Sequence, residues 1–205
     1  MSLRSTAGPT LDFTPAPAGT TIGRCIRIID LGKQPLNAWG KHNPEVAIYW
    51  ELPSDLDAQG DPFVVWEIYN NCIHEKANLG KLLISWRGKP FTEEQRAGFE
   101  LADILGIACQ ISIVHNTKST GGVSRTYANV DNVFGLIKGM QTPDQVWPSV
   151  LYDIDSHDQE VYDSLPEFIQ KKIDQSEERT GTPQEIEAVN NDLAAGGPPD
   201  DDPPF

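Results

Sequence analysis

Between residues 20 and 150, large aromatic rings and cations are interleaved along the chain. The candidate stacking residues among the rings are Trp39, Tyr49, Trp50, Phe63, Trp66, Tyr69, Trp86, Phe91 and Tyr127. The candidate phosphate contacts among the cations are Arg24, Arg27, Lys33, Lys41, Lys76, Lys81, Arg87, Lys89, Lys118 and Arg125. Rings on which bases stack and cations that follow phosphates are the two needs of sequence-tolerant binding to a single strand. A stacked base is typically worth ~1–3 kcal/mol, so two or three well-placed rings are enough.

Strand geometry limits which rings are free. Tyr49 and Trp50 are adjacent in EVAIYWEL, so they point to opposite faces and only one of them can line a groove. Across PFVVWEIYNN, Val64, Trp66 and Ile68 form one face and Phe63, Val65, Glu67 and Tyr69 the other. The more apolar set, with Trp66, is assigned to the core, which leaves Tyr69 exposed. Trp86 shares a helical stripe with Leu79, Leu82 and Leu83 and is assigned to packing. Trp39 and Lys41 lie in a polar Gly/Lys loop. The expected binding set is therefore Trp39, Lys41, Tyr49, Tyr69, Tyr127, Arg24, Arg27, Lys76, Arg87, Lys89, Lys118 and Arg125.

A second chemistry sits at the end of the sequence. Asp200, Asp201, Asp202, Pro203, Pro204 and Phe205 form an acidic peptide tipped by one ring. Such an end suits capture by another protein: the ring fills a pocket and the carboxylates meet basic residues around it.

Other chemistries find little support. His42, His74, His115 and His157 are scattered, and Cys72-x-His74 has no second pair at ligand spacing, so no metal is expected. TKSTGG at 117–122 lacks the order of a phosphate loop. Asp153, Asp155 and Asp158 are not followed by the Gly and Glu of a calcium loop. No arrangement of nucleophile and base stands out. The expectation is a protein without catalytic residues or cofactors, and not an enzyme.

The formal charge of −14 looks hostile to nucleic acid until it is divided along the chain. Residues 20–150 hold 12 Lys/Arg against 14 Asp/Glu, whereas residues 151–205 hold 3 against 15. The acid belongs to the C-terminal end, appended to a nearly neutral region. Cys25, Cys72 and Cys109 are odd in number and far apart, which fits a reduced compartment. No apolar run approaches the ~20 residues of a membrane span, and the N-terminus lacks the layout of a signal peptide.

These residues need elements to hold them. Alternation predicts strands over 21–31, 45–52, 62–71, 107–116 and 125–134. Helical spacing predicts a helix over 74–86 and a second, capped by Thr92 with Gln95 at the capping-box position, running to about Leu105. An amphipathic helix is predicted over 160–175, with Leu165, Phe168, Ile169 and Ile173 on one face. The fold class is mainly β: a five-stranded OB-fold barrel with one or two inserted helices and a C-terminal helix. The expected organisation is a flexible arm at 1–19, a binding domain at 20–150, an acidic extension with its helix at 151–178, and a disordered acidic tail at 179–205.

Two resemblances bear on this reading. Asp200–Phe205 resembles the acidic tip of bacterial single-stranded DNA-binding proteins, with Pro203 standing where that tip carries an aliphatic residue. The segments IIDLG (28–32), HEKANLGKLLISWRGKPFTEEQ (74–95), ILGIACQISIVHN (104–116), TYANV (126–130) and SLPEFIQKKIDQSEE (164–178) resemble a family of bacteriophage single-stranded DNA-binding proteins. The most distinctive piece is Ser85-Trp86-Arg87-Gly88-Lys89-Pro90-Phe91. The resemblance implies an OB-fold that coats single-stranded DNA during phage replication, recombination or repair in the cytoplasm of the host bacterium. The tip would recruit host or phage replication, recombination and repair proteins, with no membrane partner. Monomer and homodimer are both compatible with the sequence. The alternative is a decoy that occupies host pockets for such tips without binding DNA. A nuclease using the acidic cluster is a third, weaker reading.

Overall fold

The computed structural model describes residues 14–35, 42–120 and 123–180. Strand β1 (Gly19–Lys33) organises the sheet because it has two sets of partners. Strand β2 (Pro44–Leu56) pairs antiparallel with its second half, from Arg24 opposite Glu51 to Lys33 opposite Pro44. Strand β3 (Pro62–Asn70) extends the sheet beyond β2. Strand β4 (Ala108–Thr120) pairs with the first half of β1, and β5 (Val123–Phe134) pairs with β4. A short β6 (Val150–Tyr152) runs parallel to Arg27–Ile29, on the edge that β4 leaves. Register shifts between Cys25 and Arg27 and between Asp30 and Gly32 bend β1, which lets one strand serve both halves.

The protein is therefore mainly β, with strand order β3-β2-β1-β4-β5 and β6 alongside β1. The expectation of five strands misses β6, which is only three residues long. Edge strands β3 and β5 approach each other along a seam. Among the described residues no backbone ladder joins them, so the sheet is open.

Both faces of β1 are apolar because both are covered. Cys25 and Ile28 join Ile48, Trp50, Val65 and Ile111 in an inner core. Helix α1 (Asn78–Arg87) closes that core with Leu79, Leu83 and Trp86. Ile26, Ile29 and Leu31, with Ala47 and Tyr49, form an outer core against Tyr152, Leu165, Ile169 and Ile173. The boundary expected at 150/151 thus falls inside β6, and the acidic extension packs on the sheet rather than hanging from it.

Helix boundaries follow local chemistry. Residues 74–77, expected to be helical, form a turn before α1, with Ala77 N–H donating to His74 O. Thr92 and Gln95 make the expected capping box, but α2 (Glu93–Ala97) stops before Gly98. Phe99 then meets Phe91 edge-on at 4.9 Å, and a 3-10 turn spans Leu101–Ile104. The predicted C-terminal helix divides into α3 (Gln159–Asp163) and α4 (Glu167–Asp174). Pro166 sits at the N-cap of α4, where its missing N–H costs nothing. A last turn, α5, covers Glu177–Thr180. No helix among the described residues is long and apolar enough to cross a membrane.

Gly80 faces the backbone of residues 73 and 74. A Cβ there would lie 2.0 Å from His74 O, inside any allowed contact. Gly80→Ala is expected to destabilise the fold by about 1–3 kcal/mol despite alanine's better helix propensity. Thermal unfolding followed by circular dichroism checks this; a raised Tm would contradict the close approach.

Candidate nucleic-acid interface

The seam between β3 and β5 is the site where rings, cations and open space coincide. Three hollows follow it, and neighbours share lining residues. The first, about 460 Å³, is bounded by Phe63–Glu67 of β3, Tyr127–Asn129 of β5, Lys118 and Thr14. The second, about 390 Å³, shares Glu67 and adds Tyr69, Lys81 and Asn132. The third, about 580 Å³, shares Ile68 and Tyr69 and reaches Asn43, Asn71 and Lys76. Together they make one path from the β4–β5 hairpin to the base of the loop after β1. The β3 stretch it follows, nine residues, measures roughly 30 Å at strand rise.

Trp66 and Tyr127 line the first hollow and are each 40% exposed. Lys118 lies opposite Arg125 in the β4–β5 pairing, and both are exposed. Lys81 and Lys76, also exposed, follow along the path. Asparagines 43, 70, 71, 78, 129 and 132 supply neutral donors and acceptors between them. Glu67 interrupts the cations. Asn129 across the seam and the backbone of Ile68 favour its charged form. Partial burial nevertheless holds its carboxyl above the ordinary glutamate range.

No protein-family model matches this chain, and no curated protein matches it.

Several expected site residues lie on the path and others do not. Tyr127, Lys118 and Lys76 line it, Tyr69 forms part of its wall, and Arg125 is paired with Lys118 beside it. Tyr49 is only 5% exposed, packed in the outer core with its ring stacked on Trp66 at a 5.9 Å centroid distance. Burial pushes its phenol up to about 12, against the nearby Arg27 charge. Tyr69 is 9% exposed and belongs to the inner core, and burial raises its phenol too. The expectation that Tyr69 is exposed and Trp66 buried is thus reversed. Both faces of β3 are apolar, and the face that looked more apolar is the outer one, only partly covered by α4.

Arg24, Arg27 and Arg87 lie off the path. Arg24 donates to Gly106 O and Pro143 O, each at 2.8 Å. Arg27 is half-buried beside Tyr49. Arg87 stacks over Phe91 at 4.0 Å and donates to Gln95 Oε1. Lys89 is exposed but follows the end of α1 away from Asn78 and Lys81. The segment Ser85–Phe91 is accordingly a packing motif. Trp86 tilts against Trp50 and donates to Ala108 O, and Gly88 caps α1 in the left-handed region.

Trp39 and Lys41 lie outside the described residues, as do Asp200–Phe205. The ends of the Trp39 loop are described, and the C-terminal elements hold them. Gln34 donates to Lys172 O, Lys33 N–H donates to Glu178 at 2.9 Å, and His42 Nδ1 pairs with Glu177. Lys172 is bonded to Glu45 at 2.6 Å.

Trp66, Lys81 and the asparagines are the members of the path that sequence reasoning left out of its expected set. The pairing of Tyr49 opposite Trp66 would have placed both rings on one face.

Proposed function

We propose that this protein binds single-stranded DNA without sequence preference, along the β3–β5 seam of an OB-type barrel. The observation that carries the reading is the convergence of Trp66 and Tyr127 with Lys118, Lys81 and Lys76 on one continuous groove. The strand order, the bent β1 shared by β2 and β4, and a helix between β3 and β4 support the OB-type assignment. The resemblance to phage single-stranded DNA-binding proteins supports a role in phage replication, recombination or repair within the host cytoplasm. The acidic end, with Phe205, is assigned to recruiting partner proteins.

The direct test titrates the full chain with labelled oligo-dT, reading anisotropy and tryptophan quenching at two salt concentrations. Saturable binding that weakens with salt is expected. No binding under either condition overturns the reading and favours the decoy. Removing residues 197–205 is expected to leave oligo-dT binding in place and to abolish capture of a replication or repair partner.

Glu67 gives this groove a pH dependence. Its raised carboxyl makes the folded chain hold a proton more tightly than the unfolded chain. Its contribution to stability is therefore full below the ordinary glutamate pKa and is lost as pH rises through the elevated one. Protonation also removes a negative charge from the DNA path, so affinity should rise as pH falls through the same window. Glu67→Gln is expected to tighten oligo-dT binding roughly three- to ten-fold at neutral pH and low salt, about 1 kcal/mol. It should also flatten the affinity–pH profile in the range above the ordinary glutamate pKa.

A further inference from the structure

Phe168 occupies an unusual place for a ring on a packed helix. Helix α4 docks through Ile169 and Ile173, both fully buried, and through the Lys172–Glu45 ion pair. Phe168, adjoining that stripe, was expected to be buried with it, yet it is 43% exposed. Its ring lies 4.9 Å from Trp66, with 33° between the planes, and Trp66 in turn stacks on Tyr49. The three rings form a row that begins in the outer core and ends on an exposed face. Trp66 lines the first hollow of the seam, so the row is continuous with the groove. Lys171, three residues after Phe168 and therefore near it on the helix surface, is two-thirds exposed. Among the described residues it is tied only to the solvent-facing Glu167, an exchangeable partner that a phosphate can replace.

We propose that Phe168 is a base-stacking residue, so that the C-terminal helix forms part of the nucleic-acid site. The inference rests on the single-stranded DNA reading above and extends it onto an element outside the strands. A strand leaving the groove at Trp66 would lay a base on Phe168 and a phosphate beside Lys171. Because Ile169 and Ile173 fix α4 to the sheet, this ring is a preorganised platform and needs no ordering on binding.

The test compares full-length wild type with Phe168→Leu, Phe168→Trp and Phe168→Ala in anisotropy titrations with labelled oligo-dT. Leucine keeps an apolar cover on Trp66 but removes the π-face. Affinity is expected to fall about ten-fold in Phe168→Leu and Phe168→Ala, and to stay within two-fold of wild type, or improve, in Phe168→Trp. The slope of affinity against salt should be the same in all four, because no cation is removed. Wild-type affinity in Phe168→Leu, or equal weakness in Phe168→Leu and Phe168→Trp, overturns the proposal while leaving the groove intact. Absence of binding by the wild type overturns the groove reading itself. Should the leucine and alanine variants fold poorly by circular dichroism, Phe168→Trp alone decides, with weakened binding counting against the platform.

Discussion

Replacing Glu51 with alanine is expected to lower stability by about 3 kcal/mol, a fall in Tm of roughly 6–12 °C. Glu51 is fully buried on β2. Its carboxylate accepts hydrogen bonds from Val146 N–H and, at 2.8 Å, from Trp147 N–H. Bonds to a charged acceptor are worth more than neutral ones, and their loss would leave two backbone donors needing water. The neighbouring contacts share the task. Arg24, opposite Glu51 in the β1–β2 pairing, holds Pro143 O, and Trp147 Nε1 donates to Pro62 O. This clamp fixes the segment that leads into β6 and the outer core. Glu51→Gln keeps an acceptor and should lose about half as much. Arg24→Ala acts on the same segment, so the double variant should lose less than the two single losses together. Unfolding curves for the four variants decide it. A Glu51→Ala protein within 0.5 kcal/mol of wild type would mean that the clamp does not hold the segment.

The largest expected effect on binding comes from removing both exposed rings of the first hollow. Trp66→Ala combined with Tyr127→Ala should weaken oligo-dT binding by about two orders of magnitude, at roughly 1.4 kcal/mol for each lost stack. The slope of log affinity against log salt should hardly move, because stacking releases no counterions. Lys118→Ala with Arg125→Ala should do the reverse, lowering affinity modestly and flattening the slope by one to two. Tyr127 stands on the exposed hairpin, so its removal should leave Tm nearly unchanged. Trp66 packs on Tyr49 and Phe168, so a drop of a few degrees is expected there. Equal salt slopes in the ring and cation variants would contradict this division of labour.

Much of the backbone was legible in the sequence because its signals were local. Alternation marked the five longer strands, and Thr92 with Gln95 marked the start of α2. The stripe of Leu79, Leu83 and Trp86 marked the buried face of α1. What failed was the choice between two apolar faces of β3. Period two separates Trp66 from Tyr69 but does not say which face lies inside, and here α4 half-covers the outer one. Arg87 was placed in the binding set for a related reason: it is a cation in sequence, but in space it is stacked on Phe91 and bonded to Gln95. Arg24 was misread in the same way, since its acceptors Gly106 O and Pro143 O lie far along the chain. The groove itself arises from the meeting of β3, α1 and β5, which no local pattern encodes. Trp39 and the acidic tip, where the sequence argument was most direct, lie outside the described residues.

The attachment of α5 to the ends of the 34–43 connection sets a practical limit on shortening the chain. Glu177 and Glu178 meet His42 and the Lys33 backbone. A cut before Glu177, made to remove negative charge, would also remove the partners of Lys33 and His42, on either side of positions 36–41. Any change in oligo-dT affinity after such a cut would mix lost repulsion with the lost anchoring of Lys33 and His42. Truncations that end at Thr180 keep α5 and both anchors, so a truncation series should start there.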